Sequence, residues 1–192
     1  AQQNVIIGAG AFQTANSSEN FNVIIGFEAG KLRDGGDSAV AIGHSALATM
    51  VAVAGNTAVG YEAGKVTTGA NNTYIGFKSG KGASGADAGN VGVGSNTLLS
   101  ITSGGNNIAI GNTAGDAITT GSENIIIGVN AGGALVDESA NIFIGQDSGA
   151  AVDGAQKCVA LGTATMQAAA DVNATGTVAI GWAAGNAITS GT

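Results

Sequence analysis

Apolar positions recur along the chain in a short phrase that repeats about every seventeen residues. Eleven copies of a phrase close to Asn-x-x-Ile-Gly, such as NVIIG and NIFIG, occur, and successive copies end on glycines 16 to 19 residues apart. The residue before the glycine is always Ile, Val or Leu, and the residue three before it is always Val, Ile or Thr. β-Branched residues two apart lie on one face of a strand, whereas so much glycine would destabilise a helix. Each copy therefore predicts one short strand followed by a turn.

The repeat predicts an all-β fold in which the strands stack as coils. A unit of about seventeen residues cannot bury its apolar face alone. We therefore expect a parallel β-solenoid, that is, a β-roll or β-helix, of about eleven coils. Strands about 4.8 Å apart would make it a rod roughly 50 Å long. No gap between copies leaves room for a linker, so residues 1–192 are predicted to form a single repeat domain.

Two further columns of the repeat predict how each coil closes. The third residue after the glycine is Ala, Ser or Thr in every copy, which indicates a tight corner where backbones approach closely. About seven residues after the glycine, a second apolar residue predicts a second inward-facing leg. It is clearest at Ile101, Ile118, Leu135, Val152 and Ile188.

An asparagine stands four residues before the glycine in eight of the eleven copies. Stacked coils would place these amides in register, where each can hydrogen-bond to the next and to the backbone at the corner. We interpret the column as a structural ladder rather than a row of metal ligands. Its members are Asn4, Asn22, Asn56, Asn72, Asn90, Asn107, Asn124 and Asn141.

The residue two before the glycine lies on the opposite face of the strand from its two neighbours. If those neighbours fill the core, this column faces outward, and it contains no charged residue in any copy. A long apolar stripe marks an interaction surface, and other copies of the same chain offer a stripe of equal length. The sequence therefore predicts a homo-oligomer, and the alternative is a monomer whose own turns cover the stripe. The predicted subunit interface contains Ile6, Ile24, Tyr74, Ile126 and Phe143.

Four consecutive copies carry a ring directly after the glycine, at Phe27, His44, Tyr61 and Phe77. Stacking would align these rings as a ladder with charged residues beside it. Aromatic ladders flanked by polar groups can bind sugar rings, so a cell-surface glycan is one predicted partner. The other interpretation is that the rings stabilise each other or fill a subunit interface.

Composition excludes several classes of function. Thirteen acidic residues against six basic ones give a net charge of −7, which disfavours nucleic acid and anionic membrane surfaces. No apolar run is long enough to span a bilayer, so membrane insertion is not expected. One histidine and one cysteine cannot build a zinc site, and no serine stands in a nucleophile elbow. We therefore expect neither an enzyme nor a bound cofactor or metal.

Phrases such as NTAVGYEAG, NTYIGFKSG and NIAIGNTAG resemble the head repeats of trimeric autotransporter adhesins and the similar repeats of bacteriophage tail fibres. The resemblance spans essentially the whole chain. It implies a left-handed coil, assembly as a homotrimer, and a place at the virion surface or outside the cell. It also implies a structural role as a fibre segment that contributes to attachment. Adhesin head repeats are typically shorter than seventeen residues, and no stalk or anchor is evident, which favours a fibre shaft.

The two ends of the sequence carry no atypical, polar repeat that would cap a solenoid. The chain starts on one repeat and stops within another, and joining two copies would give a glycine spacing of 19, as found between Gly162 and Gly181. Head-to-tail stacking would therefore continue the coil. Two interpretations follow, namely a piece of a longer fibre and a subunit of a self-assembling extracellular filament.

Overall fold

A computed structural model describes residues 3–13, 19–34, 36–51, 54–82, 85, 87–168 and 175–186. Over these residues the chain forms an all-β parallel solenoid without helix, and hence without any helix that could cross a membrane. All of its strands are three residues long. They are β1 Val5–Ile7, β2 Val23–Ile25, β3 Leu32–Asp34, β4 Val40–Ile42, β5 Thr49–Val51, β6 Thr57–Val59, β7 Thr73–Ile75, β8 Val91–Val93, β9 Ile108–Ile110, β10 Ile125–Ile127, β11 Ile142–Ile144, β12 Val159–Leu161 and β13 Val178–Ile180.

Eleven of these strands, one for each copy of the repeat, form a single parallel sheet in chain order. Each strand pairs with its equivalent one coil away, as in Ile7 with Ile25 and Ile25 with Ile42. The predicted stacking of repeats in register is therefore confirmed. β3 and β5 pair in parallel as a small second sheet on another side of the coil.

The glycine that ends each copy is required by its conformation and by its neighbours. The φ angles of these glycines lie between 120° and 141°, a region that side chains rarely allow. A Cβ atom on Gly60 would also collide with the carbonyl oxygen of Gly76 in the next coil. The glycines therefore let the chain leave the strand while adjacent coils remain in backbone contact.

The residue two before the glycine points into the coil, so the expectation that this column faces outward is wrong. Ile24, Tyr74, Ile126 and Phe143 are completely buried by their own chain and have no surface left for another subunit. Ile6 is in register with Ile24 and shares its face, but it is 47% exposed because β1 has a strand on one side only. The physical reason is the narrow interior, which accepts only the central side chain of each three-residue strand.

The interior is filled by side chains whose sizes compensate within several of the coils. The fourth residue after the glycine faces the central strand residue, and in most copies it is itself glycine. Gly80 lies against Tyr74, and Gly149 against Phe143, whereas Leu98 shares its coil with Gly92. Leu47 and Met166 likewise accompany small residues, Ala41 and Ala160, whereas in the first coil Phe12 accompanies Ile6.

The second inward leg completes the core. Ile101, Ile118, Leu135 and Val152 are all fully buried, as the second apolar column predicts. Ile188 lies outside the described residues. The obligatory small column, from Ala29 to Thr165, is buried as well, so each coil has two walls that meet at closely packed corners.

Candidate interaction surface

The outer face of the eleven-stranded sheet carries two continuous columns of aliphatic side chains. We call them the aliphatic stripe: the first and third residues of each strand of this sheet, from Val5 and Ile7 to Val178 and Ile180. Every member is Val, Ile, Leu or Thr, and none is buried. Even at the middle of the rod, Ile110 is 39% exposed.

The size of the stripe is unusual for a surface in contact with water. Eleven strands about 4.8 Å apart and three residues wide cover roughly 50 Å by 10 Å, or about 500 Å². Contiguous apolar patches of a few hundred Å² on soluble proteins commonly serve as binding sites. The stripe, rather than the buried central column, is therefore the candidate interface of this fold.

The predicted ring ladder is present and borders the stripe. The ring centroids of Phe27, His44, Tyr61 and Phe77 lie 5.2, 5.1 and 5.3 Å apart in succession. Successive ring planes are tilted by 31°, 25° and 13°, so the rings stack on one another along the rod. Phe27 is 52% exposed and Phe77 47%.

The rings lie close to the edge of the stripe. In the parallel ladder, the carbonyl of the third strand residue accepts the N–H of the next coil's glycine, as Ile25 does from Gly43 at 2.8 Å. Two residues further on, in the turn, the Phe27 carbonyl accepts the N–H of Ser45 at 2.9 Å. Adjacent coils therefore stay in backbone contact through the ring position, and each exposed ring is only two residues beyond the last stripe residue of its coil.

The charged groups beside the ladder are already paired. Glu28 accepts a hydrogen bond from Lys31 at 2.6 Å, and Glu62 accepts bonds from Lys65 at 2.6 Å and Lys81 at 2.7 Å. The bonds from Lys65 and then Lys81 outweigh burial and lower the pKa of Glu62 to about 2. The ladder therefore adjoins ion pairs that are satisfied within the chain.

This geometry bears on the predicted glycan site. A sugar packs on the face of an aromatic ring, but the inner faces of the stacked rings already cover each other. The Lys78 ammonium lies 4.8 Å from the centroid of Phe77, the ring at one end of the ladder. The ladder therefore offers mainly ring edges, which favours packing against apolar side chains over stacking with sugars. Glycan binding stays a prediction.

The asparagine column forms a hydrogen-bonded ladder through the buried corner. The Oδ1 atom of Asn72 accepts the backbone N–H of Asn90 in the next coil at 2.9 Å, and its Nδ2 donates to the Asp87 carbonyl at 3.0 Å. Asn90, Asn107 and Asn124 repeat both bonds. Each side-chain amide therefore links the start of the next strand to the corner that directly precedes that strand, which is a structural role.

Coils that lack asparagine in this column can still join the ladder through their backbone. Ala39 and Cys158 donate their backbone N–H groups to the Oδ1 atoms of Asn22, at 2.9 Å, and Asn141, at 3.0 Å. Burial raises the pKa of the Cys158 thiol, which disfavours the reactive thiolate. Within the described ranges, no group of three or more His, Cys, Asp or Glu side chains is placed to hold a metal ion.

Two buried carboxylates complete the corners, and sequence reasoning missed both. The Tyr74 hydroxyl donates to Asp87 Oδ2 at 2.9 Å, and burial raises the pKa of Asp87 to about 6. Glu138 accepts the N–H groups of Val136 and Gly154, each at 2.6 Å, and so links two coils. Burial raises the pKa of Glu138, but these N–H bonds outweigh it and the net shift is downward. Both carboxylates stand seven residues before the glycine of their copy, as Glu19 does, but most other copies carry Gly or Ala there, so the repeat alone did not indicate their partners.

Comparison of the chain with protein-family models, with curated proteins and with solved structures finds no match. The functional assignment therefore depends on the surface of the solenoid and on the resemblance of its repeats.

Proposed function

We propose that the chain is a structural fibre segment in which copies of the chain associate through the aliphatic stripe. It acts as a shaft, most like that of a phage tail fibre or a trimeric adhesin, and projects from a virion or cell surface to contribute to attachment. The observation that carries this proposal is the uncharged stripe that runs the full length of the eleven-stranded sheet. In this role the chain is neither an enzyme nor a cofactor-binding protein.

The shape of the stripe favours a second copy of the chain as its partner. A partner must be as long as the rod and apolar along its whole length, and an identical stripe meets both requirements. Copies related by an axis parallel to the rod would cover all stripes together. The trimeric number and the left-handed coil in this proposal come from the resemblance to adhesin heads and tail fibres.

The end strands support a second candidate, namely a filament that grows end to end. Val178 and Ile180 of β13 are 65% and 67% exposed, well above Ile110 at 39% in the middle of the stripe. One more coil stacked on β13 would cover them. That coil can belong to a longer chain or to another copy, and only the second case gives a self-assembling filament.

Sedimentation equilibrium and electron microscopy of the purified chain test the proposal. We expect trimeric rods for the wild type and monomers for Ile110→Lys, which places a charge in the middle of the stripe. The matched control is Val136→Lys, since Val136 is 42% exposed but lies outside the stripe. Threads of indefinite length would favour the filament. A monomeric wild-type chain at micromolar concentration would overturn assembly altogether.

A further inference from the structure

The aliphatic stripe on its own does not fix the axial register of an assembly. Because its members are almost all Val or Ile in every coil, a chain displaced by one coil places the same kinds of side chain against its partner. A repetitive, flat strand surface specifies register weakly. An assembly held by the stripe alone would therefore tolerate axial slippage.

The ring ladder breaks this equivalence. Stacked rings occupy the position after the glycine in four consecutive coils, at Phe27, His44, Tyr61 and Phe77, and one separate ring, the exposed Trp182, follows the last glycine. In the five coils that directly follow the ladder, the same column is mostly polar. It contains Ser95, Asn112, Val129, Gln146 and Thr163. The surface thus has one segment that is not interchangeable with the rest.

We propose that the ring ladder packs against another copy of the same chain and fixes the axial register of the assembled chains. The inference rests on the proposed function, because it requires that the chains associate through the neighbouring stripe. The exposed rings lie two residues beyond the stripe in their own coils, so a partner that covers the stripe and extends past its edge reaches the rings. The ring edges then complete one continuous interface in these coils.

The area of the surface supports this partner. The stripe alone gives about 1,000 Å² for a pair of chains, the lower limit of a stable interface. Four half-exposed rings add roughly 100 Å² each, which brings a pair to about 1,800 Å². That value lies within the usual range for specific complexes. The ladder therefore supplies the area that the stripe lacks.

The charges near the ladder also permit a second copy to approach. Residues 19–81 contain five basic and five acidic residues, so this part of the chain has no net charge. Glu28 and Glu62 are paired with lysines of their own chain, so no carboxylate has to lose its partner when the rings are covered.

The chemical reactivity of Tyr61 provides the first test. The chain has two tyrosines, and Tyr74 is fully buried, so nitration by tetranitromethane reports on Tyr61. We expect Tyr61 to react at least several-fold more slowly in the wild-type assembly than in the Ile110→Lys monomer. The Val136→Lys control should react like the wild type. Equal rates in assembly and monomer would show that the rings stay open to solvent and would overturn the inference.

Disulfide formation between chains provides the second test. An axis parallel to the rods sets the first stripe column of one chain against the third column of its partner. Thr57 belongs to the first column, and Val59 and Ile75 are equivalent third-column residues of the same coil and of the next coil. Thr57→Cys is co-expressed with Val59→Cys or with Ile75→Cys, all with Cys158→Ala. Chains in register form 57–59 disulfides, whereas a displacement of one coil forms 57–75 disulfides, since the bond requires close Cβ atoms. Each coil of displacement uncovers about one ring, enough to disfavour it tenfold or more.

The ring-less variant carries alanine at the four ladder positions, which is compatible with the backbone because Ala9 occupies this column in the first coil. We expect the fraction of 57–75 disulfides to rise several-fold in this variant. It should not rise in the control Ser95→Ala/Asn112→Ala/Gln146→Ala/Thr163→Ala. If the ring-less chain dissociates, the variant Tyr61→Ala/Phe77→Ala, which keeps half of the ladder, decides the question.

The outcomes separate the two proposals. A wild-type chain that is monomeric and forms no interchain disulfide overturns both the fibre assembly and the register inference. An oligomer whose disulfide pattern is the same with and without rings overturns the register inference alone. Binding of soluble glycans that is lost in the ring-less variant, with register unchanged, would assign the ladder to sugar recognition instead.

Discussion

In one coil a large strand residue faces glycine, and in the next coil a small strand residue faces a large one. Giving the first coil the arrangement of the second tests how the interior is packed. Phe143 fills its coil opposite Gly149, whereas in the following coil Met166 fills the space opposite Ala160. Phe143→Ala should cost about 3–5 kcal/mol, the usual penalty for a fully buried phenylalanine. For a chain of this size the melting temperature should fall by roughly 6–20 °C.

A double substitution should recover much of this loss. Phe143→Ala/Gly149→Met recreates the arrangement of Ala160 and Met166, and Met166 already adopts a φ of 52° in the column where Gly149 has 62°. The left-handed backbone costs about 1–3 kcal/mol for a residue other than glycine, so we expect recovery of about half the stability. Gly149→Met alone should destabilise strongly, because a Cβ atom there already collides with the Phe143 ring.

Thermal and denaturant unfolding of the four proteins completes the double-mutant cycle. The expected coupling between the two positions is favourable by at least about 2 kcal/mol. A double variant no more stable than the less stable single variant would refute the idea that the two columns share one enclosed volume. Repeat proteins can unfold in more than one step, so agreement between circular dichroism and calorimetry is part of the assay.

Further predictions concern the corners and the glycine column. The pKa of Asp87 is raised to about 6, above its ordinary value of 3.8, so its contribution to stability is full below pH 4 and is lost as the pH rises through 6. That loss is on the order of 2 kcal/mol. It should lower the melting temperature of the wild type between pH 4 and 7, and this pH-dependent component should be absent in Asp87→Asn. Asn124→Ala removes an acceptor for Asn141 and a donor to Glu138, so unfolding titrations should show a loss of about 1–3 kcal/mol. Gly60→Ala should separate two coils and reduce soluble, folded yield, while Ala54→Gly at a corner should not.

The stacking of the fold follows from the sequence because it depends on columns that every coil repeats. Strand position, period and register each require one kind of residue at one place in every coil, and the asparagine ladder requires Asn in most coils. The ring ladder follows in the same way, since residues such as Phe27 and His44 become neighbours once the coils stack. Local chemistry and stacking together are sufficient for these features.

The orientation of the strands could not be obtained from alternation alone. Alternation states that Val23 and Ile25 share one face and that Ile24 occupies the other, but not which face is inside. The width of the interior decides which face is inside, and this width is set by residues elsewhere in the coil. A signal was nevertheless present in several coils: the largest central residues, Tyr74 and Phe143, accompany Gly80 and Gly149, whereas Gly92 accompanies Leu98. Compensating volumes indicate a shared, enclosed space, whereas the uniform Val and Ile columns indicate a flat surface.

The narrow interior has a consequence for stability. Apart from β1, each three-residue strand of the main sheet buries only its central residue and leaves its two outer residues, mostly aliphatic, at least partly exposed, so the isolated chain hides only part of its apolar surface. A domain with so little interior gains less from hydrophobic burial than a globular domain of equal length. The remaining gain is available only when another surface covers the stripe. Folding and assembly are therefore expected to be coupled, and the stability of the chain should increase with its concentration.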